Sequence, residues 1–268
     1  MNFSRLVLFG FLLAAAAGGY WIGKKRGDCF VESVSYPVTE VKPFVLIVYA
    51  CNQADWCEKS LKSIFEQEYE NYRVVLIDDA SSDETFNRLR NFLVENNQEH
   101  RAILIRNEQR EGFAKSLYRA VGNCRNREIA FPIDAKNWLS DPSVLTRLNQ
   151  AYQNPDVWAV QGQAVAYPSY EKIDPQGPLS QDELDGRIPL SFYAGILKRI
   201  SSDPEPGSRG EKKSDLIPLL QLAKGHWQNL SEPLAFSNSA YSEKLKCAGK
   251  GLKKTVVSFE PLSRLPED

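Results

Sequence analysis

The chain has 268 residues, 33 Lys plus Arg against 34 Asp plus Glu, two His, a formal net charge of -1 and a pI near 6.2. That length supports one large domain or two small ones with a sizeable core, and the balanced charge offers no basic excess for a nucleic-acid partner. Two histidines leave little material for a His-based metal site or a Ser-His-Asp relay. Five scattered cysteines (Cys29, Cys51, Cys57, Cys124, Cys247) without Cys-x-x-Cys spacing point to reduced thiols rather than zinc or a disulfide framework.

The first element is the uncharged run 6–22 (LVLFGFLLAAAAGGYWI), at the short end of what crosses a hydrocarbon core as a helix. Arg5 and the small residues Ala14 to Gly19 also fit a cleaved signal peptide. Lys24, Lys25 and Arg26 outweigh the charge before the segment, and positive flanks stay cytoplasmic. Residues 1–26 are therefore read as an uncleaved single-pass anchor with the domain in the cytoplasm, with export after cleavage as the alternative. Residues 27–42 are polar and aperiodic, a linker, and the domain is expected over 43–268.

Phe44 to Tyr49 (FVLIVY) has the length and continuous apolarity of a strand covered on both faces, and Asn52 is placed to cap a helix from about Ala54 to Phe65. Arg73 to Ile77 is a second strand that stops at Asp78-Asp79. Ser81 and Glu84 have capping-box spacing before a helix with Phe86, Leu89, Leu93 and Val94 on its apolar side. Ala102 to Ile105 reads as a strand, Phe113 to Gly122 as a helix, and Ile129 to Ile133 as a strand running into Asp134. Pro132 argues against an interior position for that strand. Asp141-Pro142 opens a helix through Ala151. Strands alternating with helices of about three turns predict crossover units and a mostly parallel sheet with helices on both faces. Beyond Val157 the pattern loosens: Val157 to Ala166 is strand-like, and Pro168 to Pro189 and Ser201 to Ser214 read as loops around a helix near Phe192 to Ile200.

Neither a Gly-x-x-x-x-Gly-Lys-Ser/Thr loop nor a Gly-x-Gly-x-x-Gly turn follows the first strand, and no Asp-x-Asp closes it, so carboxylates elsewhere are the candidate machinery. Their settings have a familiar order. Strand-Ala50-Cys51-Asn52-helix, then VVLIDDASSDET at Val74 to Thr85, then Gly112-Phe-Ala-Lys-Ser, then IAFPIDAKNWL at Ile129 to Leu139 resemble successive nucleotide-sugar-binding motifs of family-2 glycosyltransferases of the GT-A fold. The likeness spans roughly Phe44 to Gln163. A weaker echo at Ser214-Asp215 and Leu230-Ser-Glu-Pro-Leu resembles the family segment that carries the catalytic base.

The resemblance implies a Rossmann-like GT-A fold, with 43–166 as the nucleotide-binding half and 167–268 on the acceptor side. It implies a nucleotide-diphosphate sugar as donor and a lipid or glycan acceptor near the membrane. Asp78 or Asp79 would hold the nucleoside beside the loop Ala50 to Asn52, Gly112 would open the third motif, and Asp134 would face the ribose and diphosphate. Asp215 would take the acceptor proton during inverting attack. A helix cap is an equal account of Asp215, and Asp182, Glu183 or Asp185 are alternative bases.

One departure matters most. The family reads Asp-Ala-Asp-Asp-Trp where this chain has Asp134-Ala135-Lys136-Asn137-Trp138. A dication about 4 Å from Lys136 would be repelled by roughly 8 kcal/mol at an effective dielectric near 20, which disfavours Mg or Mn. Lys136 then either offers its ammonium to the diphosphate or turns outward. Cys51, Tyr118 and Ser214 also replace the family's usual tyrosine, asparagine and glutamate. The leading expectation is a membrane-anchored glycosyltransferase with little metal dependence. A catalytically inactive paralogue serving as a nucleotide-binding or assembly subunit comes second, and another nucleotide-binding α/β enzyme a distant third.

Overall fold

The computed structural model describes residues 37–173, 189–202, 223–238 and 264–267. The expected anchor at 6–22, the acids Asp182, Glu183 and Asp185, and Ser214-Asp215 lie outside the described residues. Among the described residues no helix is long and apolar enough to cross a membrane.

The centre is β1 (Phe44–Ala50), whose residues are buried along nearly its whole length. It runs parallel to β2 (Tyr72–Asp78) on one side and to β4 (Ile129–Asp134) on the other, with β3 (Ala102–Arg106) parallel beyond β2. Such continuous aliphatic runs suit strands covered on both faces. The covering helices are α1 (Cys57–Phe65), α2 (Thr85–Glu95) and α3 (Phe113–Gly122), which bury Leu61 and Ile64, Leu89 and Leu93, and Leu117 and Val121. Each fully buried aliphatic side chain contributes about 1.5–3 kcal/mol of transfer free energy. The helix α4 (Val144–Ala151) adds Val144, Leu145 and Leu148 to the same core, and α5 (Ala194–Ser202) lies beside α3.

The remaining strands are β5 (Trp138–Leu139), β6 (Ala159–Tyr167), β7 (Lys172–Ile173), β8 (Leu190–Tyr193) and β9 (Trp227–Asn238). They extend the sheet in the order β3-β2-β1-β4-β8-β6-β9-β5, with β7 on β6. The expectation of a mostly parallel sheet holds for the first four strands only. Beyond β4 the sheet is mixed: β8 is antiparallel to both β4 and β6, β7 to β6, and β5 to β9, while β9 is parallel to β6. A turn as short as that from Tyr167 to Lys172 cannot carry a crossover, so β7 has to return antiparallel.

Pro132 does occupy an interior strand. The N–H groups of Ile129 and Ala135 donate to Pro43 and Tyr49 on the β1 side, so alternation aims the missing donor of residue 132 at β8. That ladder involves only Ile129 and Ala130 of β4, and no hydrogen bond is lost.

Two helix starts differ from expectation. Asn52 sits in left-handed backbone (φ 54) and caps nothing; α1 begins at Cys57. The Ser81–Glu84 box does not form. Asp83 instead accepts from the N–H and hydroxyl of Thr85, and those bonds outweigh burial to hold its pKa below the usual carboxylate range.

Candidate functional site

Parallel strands in the order β3-β2-β1-β4 reverse their winding between β1 and β4, and open α/β sheets bind ligands at the carboxyl ends beside that reversal. Register brings Tyr49 of β1 opposite Asp134, Ala50 opposite Asp78, and Asp78 opposite Arg106. The residues Asn52, Asp78, Asp79, Gly112, Asp134 and Lys136 therefore come to one edge of the sheet from four separate loops.

At the reversal point Asp134 is closed in by its own neighbours. Lys136 turns inward, its Nζ 2.9 Å from Asp134 Oδ2, with side-chain exposures of 16% and 9%. The backbone N–H of Lys136 and the side-chain amide of Gln53 donate to Oδ1. The outward orientation of Lys136 is thereby eliminated for this state.

Among the described residues the donor set does not fit a divalent ion: a single carboxylate is held there, both its oxygens are engaged, and an ammonium stands against one of them. Among the described residues no group of three or more His, Cys, Asp or Glu is arranged to hold a metal.

The two adjacent acids after β2 have different environments. Asp79 Oδ1 accepts from Asn107 Nδ2 and the Glu111 N–H, and Oδ2 from the Tyr49 hydroxyl and the Gly112 N–H, all at 2.8–2.9 Å. Burial pushes its pKa up, but the four bonds together outweigh that and hold it below the usual range. Asp79 thus ties β1, β2, the segment after β3 and the start of α3 together. Gly112 meets it at φ 84 and ψ 163, a conformation open essentially to glycine alone. The carboxylate of Asp78 is fully buried yet less occupied. Its Oδ2 faces Arg106 Nε and the Ser81 N–H at 3.3 Å, and its Oδ1 has no hydrogen-bond partner. Beside it opens a recess of about 420 Å³ lined by Ala80, Ser81, Arg106, Asn107 and Glu108.

Asn52 fastens the loops after β1 and β2 to each other: its N–H donates to Ser81 Oγ, and its Oδ1 accepts from the Ser82 N–H at 2.8 Å. Asn52 and Ala80 both take positive φ there, backbone strain of the sort that collects at ligand loops. Sequence reasoning missed Gln53, Asn107 and Arg106. For Arg106 a signal existed, since it closes β3 as Asp78 closes β2. Nothing local marked Gln53, which reaches Asp134 across 81 positions. Of the thiols, Cys51, Cys57 and Cys124 are buried, and burial raises Cys57 to about 11, away from reactivity.

The family model for Glycosyl transferase family 2 matches residues 45–203, more than half of the chain. Among solved structures, the mannosyltransferase PcManGT from Pyrobaculum calidifontis, in complex with GDP-Man and Mn2+, is similar with a TM-score of 0.57. It is 20% identical over 84% of this chain and 66% of its own. S. aureus TarS 1-349 in complex with UDP-GlcNAc is similar at 0.56, with 16% identity over 74% of this chain and 58% of its own. The chain spans less than two thirds of either protein, and at these identities the likeness is one of fold. No curated protein matches the sequence.

Proposed function

The chain belongs to glycosyl transferase family 2, and on that premise we propose that it transfers a sugar from a nucleotide-diphosphate donor to a lipid or glycan acceptor, with inversion. The observation that carries this reading is the Lys136–Asp134 pair at the strand reversal. The ammonium already stands at the edge where a diphosphate would arrive, and a lysine serves phosphate as a point charge. In this reading Lys136 leaves Asp134 for the diphosphate and neutralises the departing group, and Asp134 turns to the ribose. Asp78 receives the nucleoside once its neighbours Ser81 and Arg106, which line the recess, move aside: it is fully buried, but its Oδ1 has no hydrogen-bond partner, whereas the oxygens of Asp79 are committed to the scaffold.

Calorimetry with UDP and GDP, each in Mn2+ or in EDTA, tests the pocket. Binding that survives EDTA is the expected result; strict dependence on Mn2+ would remove the role given to Lys136. A nucleotide-binding or assembly subunit without transfer is the second reading. It draws on the same ion pair, which leaves Asp134 internally neutralised, and its signature is nucleotide binding without turnover.

Asp215 is proposed as the acid that takes the acceptor proton. Asp215→Asn should abolish transfer at unchanged melting temperature, and retained activity would move the role to another acid. We also propose that residues 6–22 anchor the protein with the domain in the cytoplasm. The domain should then be digested only by protease admitted to the cytoplasmic side.

A further inference from the structure

Aromatic rings and unbonded amides gather where β5, β9 and β6 meet, just past the Asp134–Lys136 loop. Trp138 of β5 pairs in register with Phe236 of β9, and Phe236 with Val165 of β6. Alternation then places Trp138, Phe236, Val165 and Tyr167 on one face. The rings are in contact: Trp138 stacks on Phe236 at 5.5 Å and on Trp56, from the loop after β1, at 6.1 Å. Tyr167 stands edge-on to Trp138 and Trp56 at 5.2 and 5.8 Å, and Tyr170 edge-on to Tyr167 at 5.9 Å. The Lys59 ammonium lies 3.4 Å from the centre of the Trp138 ring. Tyr170 is 64% exposed and has φ 60, so a turn in left-handed backbone holds a large ring out into solvent.

The amides lie along the same strands. Asn238, the register partner of Tyr167, is 1% exposed, and neither its side-chain oxygen nor its nitrogen has a hydrogen-bond partner. Gln161 is equally buried with both side-chain atoms unpaired, and Gln163 Oε1 is unpaired as well. Gln161, Gln163 and Tyr167 follow at even spacing on β6 and so share a face. A buried amide without partners costs about 1–3 kcal/mol, and several in a row call for an explanation.

A pyranose ring supplies one. Its C–H faces are apolar and lie flat on aromatic rings, while its rim of hydroxyls both donates and accepts, which is what amides require. An acyl or prenyl chain would cover the rings but leave every amide unbonded. We propose that this face is the acceptor subsite and that the acceptor is a glycan running along β6: one sugar ring rests on Tyr170 beside the aromatic wall and meets Asn238, and the following rings reach Gln163 and Gln161, which lie about 13 and 20 Å further along the strand from Tyr167, the register partner of Asn238. The proposal rests on the donor reading above, from which it takes its position beside Lys136.

The test follows tryptophan fluorescence of the full chain in detergent, with UDP or GDP present. It is titrated with tetrasaccharides of glucose, mannose and N-acetylglucosamine, and in parallel with farnesyl phosphate. At least one tetrasaccharide should bind. Tyr170→Ala should weaken that binding about tenfold, and Tyr170→Phe should preserve it. Because Tyr170 is exposed, both variants should melt like the parent. Binding of UDP or GDP with no response to any tetrasaccharide overturns the proposal, as does equal glycan affinity in Tyr170→Ala. Tyr170-dependent binding of farnesyl phosphate in place of a glycan overturns it too. Glycan binding that depends on Tyr170, in a chain that binds neither nucleotide, would leave this subsite standing and sink the donor reading instead.

Discussion

Lys136→Ala should weaken binding of UDP or GDP in EDTA by about ten- to a hundredfold, because a charge-assisted contact to phosphate contributes about 1.5–3 kcal/mol. The ammonium is mostly withdrawn from solvent, and its nearest charge is the Asp134 carboxylate at 2.9 Å. A diphosphate brings more negative charge than that carboxylate, so exchange of partners favours the ligand. The same substitution leaves Asp134 without its cation. Gln53 and the residue 136 N–H still donate to it, so the stability loss should be moderate, on the order of 1–3 kcal/mol, below the value for a fully buried pair. Calorimetry well below the melting transition keeps the two effects apart. Lys136→Asp provides the converse: a second carboxylate in place of the cation should make nucleotide binding rise with Mn2+. Unchanged affinity in Lys136→Ala would mean that the lysine serves only to neutralise Asp134.

Asp79→Asn should destabilise the fold by about 2–4 kcal/mol. Four donors converge on its two oxygens from Tyr49, Asn107, Glu111 and Gly112. An amide keeps one oxygen and turns an NH2 toward the other two donors. The melting temperature should fall by roughly 5–15 °C for a domain of this size. The pH dependence has a definite sign. The pKa of Asp79 is depressed in the folded state, so its stabilisation is complete above the unfolded carboxylate value of about 3.9 and is lost as pH falls through the lower folded value. The difference in melting temperature between Asp79→Asn and the parent should therefore be constant near neutrality and shrink below about pH 4. A difference that persists undiminished in acid would show that packing, not charge, is responsible.

Most of the first half of the sheet was legible from local pattern. The strands from Phe44, Tyr72, Ala102 and Ile129 and the helix Phe113–Gly122 fall where apolar runs and helical spacing place them, because a continuous apolar run of strand length, or an apolar face at helical spacing, is a local signal that needs no distant partner to be recognised. The later strands were harder. Trp227–Asn238 contains Pro233, Glu232 and several amides and has no alternation. It is a strand because β6 and β5 supply its ladder, with a register shift between Gly162 and Ala164 to absorb the irregular stretch.

Residue order alone puts Asp78, Asp79, Asp134 and Lys136 at strand ends and a cation instead of a carboxylate at the third position of the motif. Those are properties of residue type and local spacing. Folding adds that Lys136 points in toward Asp134, that Asp79 is bound up in the scaffold while Asp78 keeps an unfilled oxygen, and that Gln53 reaches Asp134. Each of these depends on side chains far apart along the chain meeting at one sheet edge, and which of two adjacent acids is satisfied is settled by the donors that packing brings to it.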